Sequence, residues 1–125
     1  MAQVLKLKRV TVSTATLRDG LLAERSMGGA LAERFGRQVV RSARDLSQRY
    51  NTDRKHAACV TTLALQLFDE LADQHGLAGR YRVMLEAACW LHDVGSYVSN
   101  RGHHKHSMYL VQNSDIFGLG PRDQR

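Results

Sequence analysis

The chain has 125 residues, 43% of them hydrophobic, and carries 18 lysines and arginines against 12 acidic side chains, a formal net charge of +6. This length and composition suit one ordinary domain with a core, and they exclude a disordered or low-complexity chain. No apolar run is long enough for a membrane span, and the opening MAQVLKLKRV has neither the apolar stretch nor the cleavage site of a signal peptide.

The first element expected is a strand. In VLKLKRVTV (4–12), Leu5 and Leu7 alternate with Lys6 and Lys8, and Val10 and Val12 continue after a slip of phase at Lys8–Arg9. A lone strand is not stable in water, and no second strand can be read in the chain, so a larger parent protein is expected. Arg18-Asp19-Gly20 reads as a turn and SMGG (26–29) as a linker.

The pattern then becomes helical. From Leu31 to Tyr50 an apolar stripe runs through Phe35, Val39, Ala43, Leu46 and Tyr50. A second stripe, Arg34, Arg37, Arg41 and Arg44, is basic. Four like charges on one face repel, so the stripe is either well solvated or faces an anion. Asn51 or Thr52 is the expected N-cap of the next helix, which should run to about Gln74 and end near Gly76. Its inward face reads as Val60, Leu63, Ala64, Leu67 and Leu71, with His56 on the same side. A third helix is expected from Tyr81 to Asp93, with Leu85, Ala88, Cys89 and His92 on one face and Gly95 as its stop. A loop through Asn100-Arg101-Gly102 leads to a fourth helix, His104 to Gln112, and Pro121 suits the first turn of another. Cys59 and Cys89 stand apart in apolar contexts. They read as buried small hydrophobes of a reducing, cytoplasmic protein, not as a disulfide or metal pair.

Four of the six histidines fall between positions 91 and 106. His92 and Asp93 are neighbours whose side chains diverge by about 100° on a helix, so both reach one ion only where the helix ends. Imidazole and carboxylate donors together suit a divalent ion of the Mg, Mn or Zn class, which would polarise a phosphoryl oxygen. Hydrogen-bonded core histidines are the other reading of His56 and His92. For His103, His104, Lys105 and His106 the choice is between a plain polar helix start and an anion contact. Positive charge at a helix N-terminus is mildly unfavourable unless an anion is there.

These residues carry a resemblance. His56 with His92-Asp93 is similar to the signature of the HD superfamily of metal-dependent phosphohydrolases, an all-helical group in which a later Asp completes the set. TLRDGLL (16–22), YNTDRKHA (50–57), LHDVG (91–95) and GHHKHSMYLVQNSDIFG (102–118), in that order, resemble the exopolyphosphatase/guanosine pentaphosphate phosphatase family over nearly the whole chain. The resemblance implies an all-α, HD-domain-like helical bundle preceded by a short N-terminal β-strand segment. Residues 1–25 would be the tail of an actin-like module of RNase H fold, and residues 30–125 an HD-like helical domain cut short at its C-terminal end.

The function implied is that of a fragment of a polyphosphate or (p)ppGpp phosphatase, its helical region binding the polyanion or dimerising. No catalytic residue is assigned, because the family's catalytic carboxylate and glycine-rich phosphate loops have no counterpart in these residues. His56, His92 and Asp93 are the metal candidates. Arg34, Arg37, Arg41, Arg44, His103, His104, Lys105 and His106 are the candidates for phosphate contact. The expected ligand is polyphosphate or a guanosine polyphosphate, with a homodimer left open and no membrane. Nucleic acid is disfavoured, because aromatics make up only 6% of the chain, too few for stacking platforms. The alternative is an autonomous HD-type metal-dependent phosphohydrolase.

Overall fold

The computed structural model describes residues 29–120. Five α-helices and one 3-10 turn follow in order: α1 Gly29–Arg49, α2 Arg54–Glu70, α3 Ala72–His75, α4 Gly79–Leu91, the 3-10 turn Val94–Tyr97, and α5 His103–Gln112. No strand occurs among the described residues, and the fold is all-α. The strand at 4–12, the turn at 18–20, residues 26–28 of the linker, the domain at 1–25 and the helix start at Pro121 lie outside them. No helix among the described residues is long and apolar enough to cross a membrane.

The long helix α1 forms as its stripe dictates. Val39, Ala43 and Leu46 are buried, and Phe35 and Tyr50 pack at the edge of the core. Helix α4 lies between α1 and α2 and contributes Ala87, Trp90 and Leu91; Val94 of the 3-10 turn and Ile116 complete the cluster. The segment after α5 returns to α1. The Phe117 amide donates to Ser42 Oγ at 3.0 Å, and the Phe35 and Phe117 rings meet at 5.2 Å. Gly118 permits this return. Its φ is +76°, and a Cβ there would lie 2.9 Å from both Phe35 Cε1 and Val39 Cγ2.

Four local expectations are corrected. The cap of α2 is Asp53, whose carboxylate accepts from the amides of Lys55 at 2.8 Å and His56 at 3.1 Å. Asn51 instead takes a left-handed turn with φ of 52°, and Thr52 donates its hydroxyl to the Ser47 carbonyl at 3.0 Å. The inward face of α2 is also rotated from the one expected. Ala57 and Thr61 are buried, whereas Leu63 and Leu67 are 62% and 57% exposed. Small side chains let α2 approach α4 closely, and Thr61 can be buried because its hydroxyl donates to the Ala57 carbonyl at 2.7 Å. Cys59, on the outer side, is exposed; Cys89 alone of the two is buried. Burial, and then the Glu86 carboxylate, push the Cys89 thiol up, so it stays protonated. Finally, α2 stops at Glu70, and the short α3 ends on the left-handed Gly76. His75 explains itself there. Its Nε2 donates to the Phe68 carbonyl at 2.8 Å, and its Nδ1 accepts from the Leu77 amide at 2.9 Å.

Helices α2 and α4 are tied by a two-pronged ion pair, Arg82 Nε and Nη2 each donating to Asp69 at 2.8 Å. The guanidinium holds the Asp69 carboxyl below its ordinary range, and the His56 and Lys55 amides do the same for Asp53. A carboxyl lowered in the folded state adds stability above its unfolded pKa, about 3.9, and that stability is lost as pH falls through the folded value. The melting temperature should therefore fall below about pH 4 through these two groups. Asn caps a helix without titrating, so Asp53→Asn with Asp69→Asn should flatten the acid limb of a thermal-melt series. An unchanged acid limb in the double variant would place its origin in other carboxylates.

Candidate functional site

His56 stands on the first turn of α2 and His92 at the C-terminal end of α4, where the packing of these helices makes them neighbours. Their rings are 5.3 Å apart, and the two Nε2 atoms are separated by 3.3 Å. The Cys89 carbonyl, 2.8 Å from His92 Nδ1, can only accept, so Nδ1 carries the proton. With His92 neutral, its Nε2 is then the acceptor, and His56 Nε2–H donates to it. Second-sphere bonding of this kind also sets the tautomer of metal-ligating histidines.

Asp93 turns another way. Its carboxylate accepts from the Ser96 hydroxyl, and it lines a separate cleft of about 220 Å³ with Tyr50, Asn51, Thr52 and Tyr97. Helix α4 does end here, but Gly95 is not its stop. Leu91 is the last helical residue, and Gly95 is instead the point where the 3-10 turn touches α5. Among the described residues no group of three His, Cys, Asp or Glu side chains is set to hold a metal ion. The pair offers two imidazole donors, one fewer than the three protein ligands usual in a catalytic zinc site. These residues do not by themselves fit a divalent ion.

The His92 backbone is held by a residue the sequence did not single out. Ser107, buried on α5, donates its hydroxyl to the His92 carbonyl at 2.9 Å and accepts from the Gly95 amide at 2.8 Å. A serine in the middle of a helix carries no local signal for this link, which exists only once α5 has docked. Beside it, Leu85, Ala88 and His92 do share a face, but that face lines an apolar groove of about 420 Å³ with Met84, Leu91 and Met108 rather than entering the core.

The histidine-rich loop belongs to the start of α5. Gly102 is its N-cap, with φ of 73° and no side-chain cap. His103 Nδ1 donates to the Asn100 carbonyl at 3.2 Å and its ring meets His104 edge-on at 5.9 Å. His104 and Lys105 are exposed and His106 is half-buried. None of the four joins His56 and His92 in a metal-binding group.

The arginine stripe is the part of the site that the tertiary fold changes most. Arg37 pairs with Glu33 one turn away. Arg44 donates to Glu86 of α4 at 2.9 Å, and its guanidinium lies 4.7 Å from the centre of the Trp90 ring. Carboxylates among the described residues thus answer two of the four charges. Arg37, Arg41 and Arg44 line a cleft of about 610 Å³ between α1 and α4, with Arg82 across it. Arg34 is exposed outside it. Among the described residues Arg41 has no ion pair. Arg82 and Glu86 escaped the sequence reading because only the packing of α4 against α1 brings them to this cleft.

The model for domain III of the Ppx/GppA phosphatases matches residues 39–125. That range takes in the buried stripe of α1 from Val39 onward, all of α2 to α5, the histidine pair, Arg41, Arg44 and Arg82. The chain belongs to the Ppx/GppA phosphatase family and carries its domain III.

Proposed function

We propose that this chain is the HD-like helical region of a cytoplasmic polyphosphate or guanosine-polyphosphate phosphatase, and that it holds the anionic substrate while hydrolysis is carried out by residues of another module. The observation that carries this reading is the α1–α4 cleft. Its guanidiniums come from both walls, and Arg41, between Arg37 and Arg44, is in no ion pair among the described residues, although Asp45 lines the same cleft. Arginine's planar fork suits phosphate oxygens, and a row of guanidiniums suits a repeating phosphate chain. The pairs beside Arg41, with Glu33 and Glu86, leave the Arg37 and Arg44 guanidiniums partly neutralised, so Arg41 is the stronger anchor for an anion in the cleft. The start of α5, with His103, His104 and Lys105, supplies a second basic surface on a different element.

The alternative, an autonomous metal-dependent phosphohydrolase, has less support. His56 and His92 face one another, but the Asp93 carboxylate is engaged with Ser96.

Binding of labelled polyphosphate to the whole chain at low salt tests the reading. Arg41→Ala should weaken it about fivefold, the worth of roughly 1 kcal/mol for a partly exposed ionic contact, and the loss should shrink as salt is added. Arg80→Ala, whose guanidinium stacks on Tyr81 outside the cleft, should bind like the parent. Equal binding by the Arg41 variant and the parent would make the cleft a solvated face and defeat the proposal.

A further inference from the structure

We infer that Glu86 is a resident counter-anion of the arginine cleft, one that a bound phosphate chain must displace from Arg44, and that it thereby sets how tightly and for how long the cleft holds the chain. The inference rests on the reading of that cleft as the seat of the anionic substrate, and it adds the residue that limits binding there. Glu86 stands on α4, lines the cleft, and accepts from Arg44 Nη2 of α1 at 2.9 Å. Its side chain is only 18% exposed, whereas those of Arg44 and Arg82 are 48% and 43% exposed. An anion entering from solvent therefore meets the guanidiniums first and the carboxylate behind them. Arg82, bonded chiefly to Asp69, also feels the Glu86 charge. Glu33 is not an equivalent. Its pair with Arg37 lies within α1 and is exposed on both sides, so water screens it.

The Arg44–Glu86 pair is built to exchange. Arg44 is held a second way, since its guanidinium lies 4.7 Å from the centre of the Trp90 ring. The ring keeps it in place when its anion changes. Glu86, on losing Arg44, still has the attraction of Arg82, so the displaced carboxylate is not left without a cation. The incoming chain is anchored next door. Arg41, three residues before Arg44 on the same helix, is in no ion pair among the described residues. A phosphate group tethered through Arg41 meets Arg44 at a high effective concentration, as Glu86 does through its own backbone. A chain can therefore compete where a single dissolved phosphate cannot. When the chain leaves, Glu86 returns, and neither charge stays unpaired in the half-buried cleft. Release is easier for that reason, and the chain can move on to the residues that cleave it.

Binding of labelled polyphosphate to the whole chain at several salt concentrations tests this with Glu86→Gln. Glutamine keeps the shape and an oxygen that accepts from Arg44, but not the charge. The variant should bind about fivefold more tightly than the parent. Most of the gain should appear as slower dissociation. The logarithmic salt dependence should steepen by up to about one ion, since Arg44 then releases a counter-ion on binding instead of Glu86. In an Arg44→Ala background the gain should shrink to about twofold or less, because the guanidinium being contested is gone. A purely structural role for the pair predicts the reverse, weaker binding by Glu86→Gln. Binding no tighter than the parent would overturn the inference. So would a gain of undiminished size with Arg44→Ala, which would make Glu86 a through-space repulsion only. In both cases, weaker binding by Arg41→Ala would still uphold the cleft as the seat of the chain. Arg41→Ala binding like the parent would remove that reading, and this inference with it.

Discussion

Gly95→Ala should lower the melting temperature by roughly 15–30 °C. A Cβ at position 95 would lie 2.1 Å from the His103 carbonyl oxygen, 2.3 Å from the Ser107 amide and 2.7 Å from the Ser107 hydroxyl. Two of these are backbone atoms, so no side-chain rotation relieves the clash, and the 3-10 turn must part from α5. Parting them breaks the Gly95 amide bond to Ser107 and the Ser107 bond to the His92 carbonyl. Overpacking costs about 1–3 kcal/mol, and a buried amide left without its acceptor about 1–3 more. A total of roughly 3–5 kcal/mol, at about 5–6 °C each in a domain of this size, gives the expected fall. Thermal denaturation followed by circular dichroism measures it. A variant melting within a few degrees of the parent would mean that the turn and α5 are not in contact as described.

The same glycine shows what the sequence could and could not convey. LHDVG reads as a helix stop, because glycine after a run of helix formers usually is one. Here the helix has already ended at Leu91, and the glycine serves an approach between elements that are distant in sequence. Helix α1 was legible because one side of it faces the core and the other faces water, so its hydrophobic period is clean. Helix α2 was not. Its apolar residues occur on two sides, and the side that packs is marked by alanine and a threonine whose hydroxyl is satisfied within the helix. Counting large apolar residues selects Leu63 and Leu67, the side that stays outside. Similarly, Asn51, Thr52 and Asp53 are all competent caps, and only the left-handed turn at Asn51 decides that Asp53 takes the role. The histidine pair was reachable through the resemblance. The direction of Asp93 was not, since it depends on Ser96 and the turn that follows.

Trp90→Ala should cost about 3–5 kcal/mol, whereas Trp90→Phe should cost less than about 1 kcal/mol. Trp90 is buried at the junction of α1, α4 and the core cluster, so truncation leaves a large cavity. The phenylalanine substitution is different because of one atom. Among the described residues the buried indole Nε1 has no hydrogen-bond partner. Replacing an unpartnered N–H by a hydrocarbon edge removes a desolvation penalty of about 1–3 kcal/mol, which offsets the smaller buried area. Part of the stacking of Arg44 is lost, about 0.5–1 kcal/mol, but that guanidinium keeps its bond to Glu86 and its place in the cleft wall. Urea denaturation of the three proteins separates these effects. Polyphosphate binding by the Phe variant should match the parent, since Arg44 is held from α4 by Glu86 as well as by the ring. If Phe proves as costly as Ala, the indole N–H is satisfied in solution and its burial is not the penalty described.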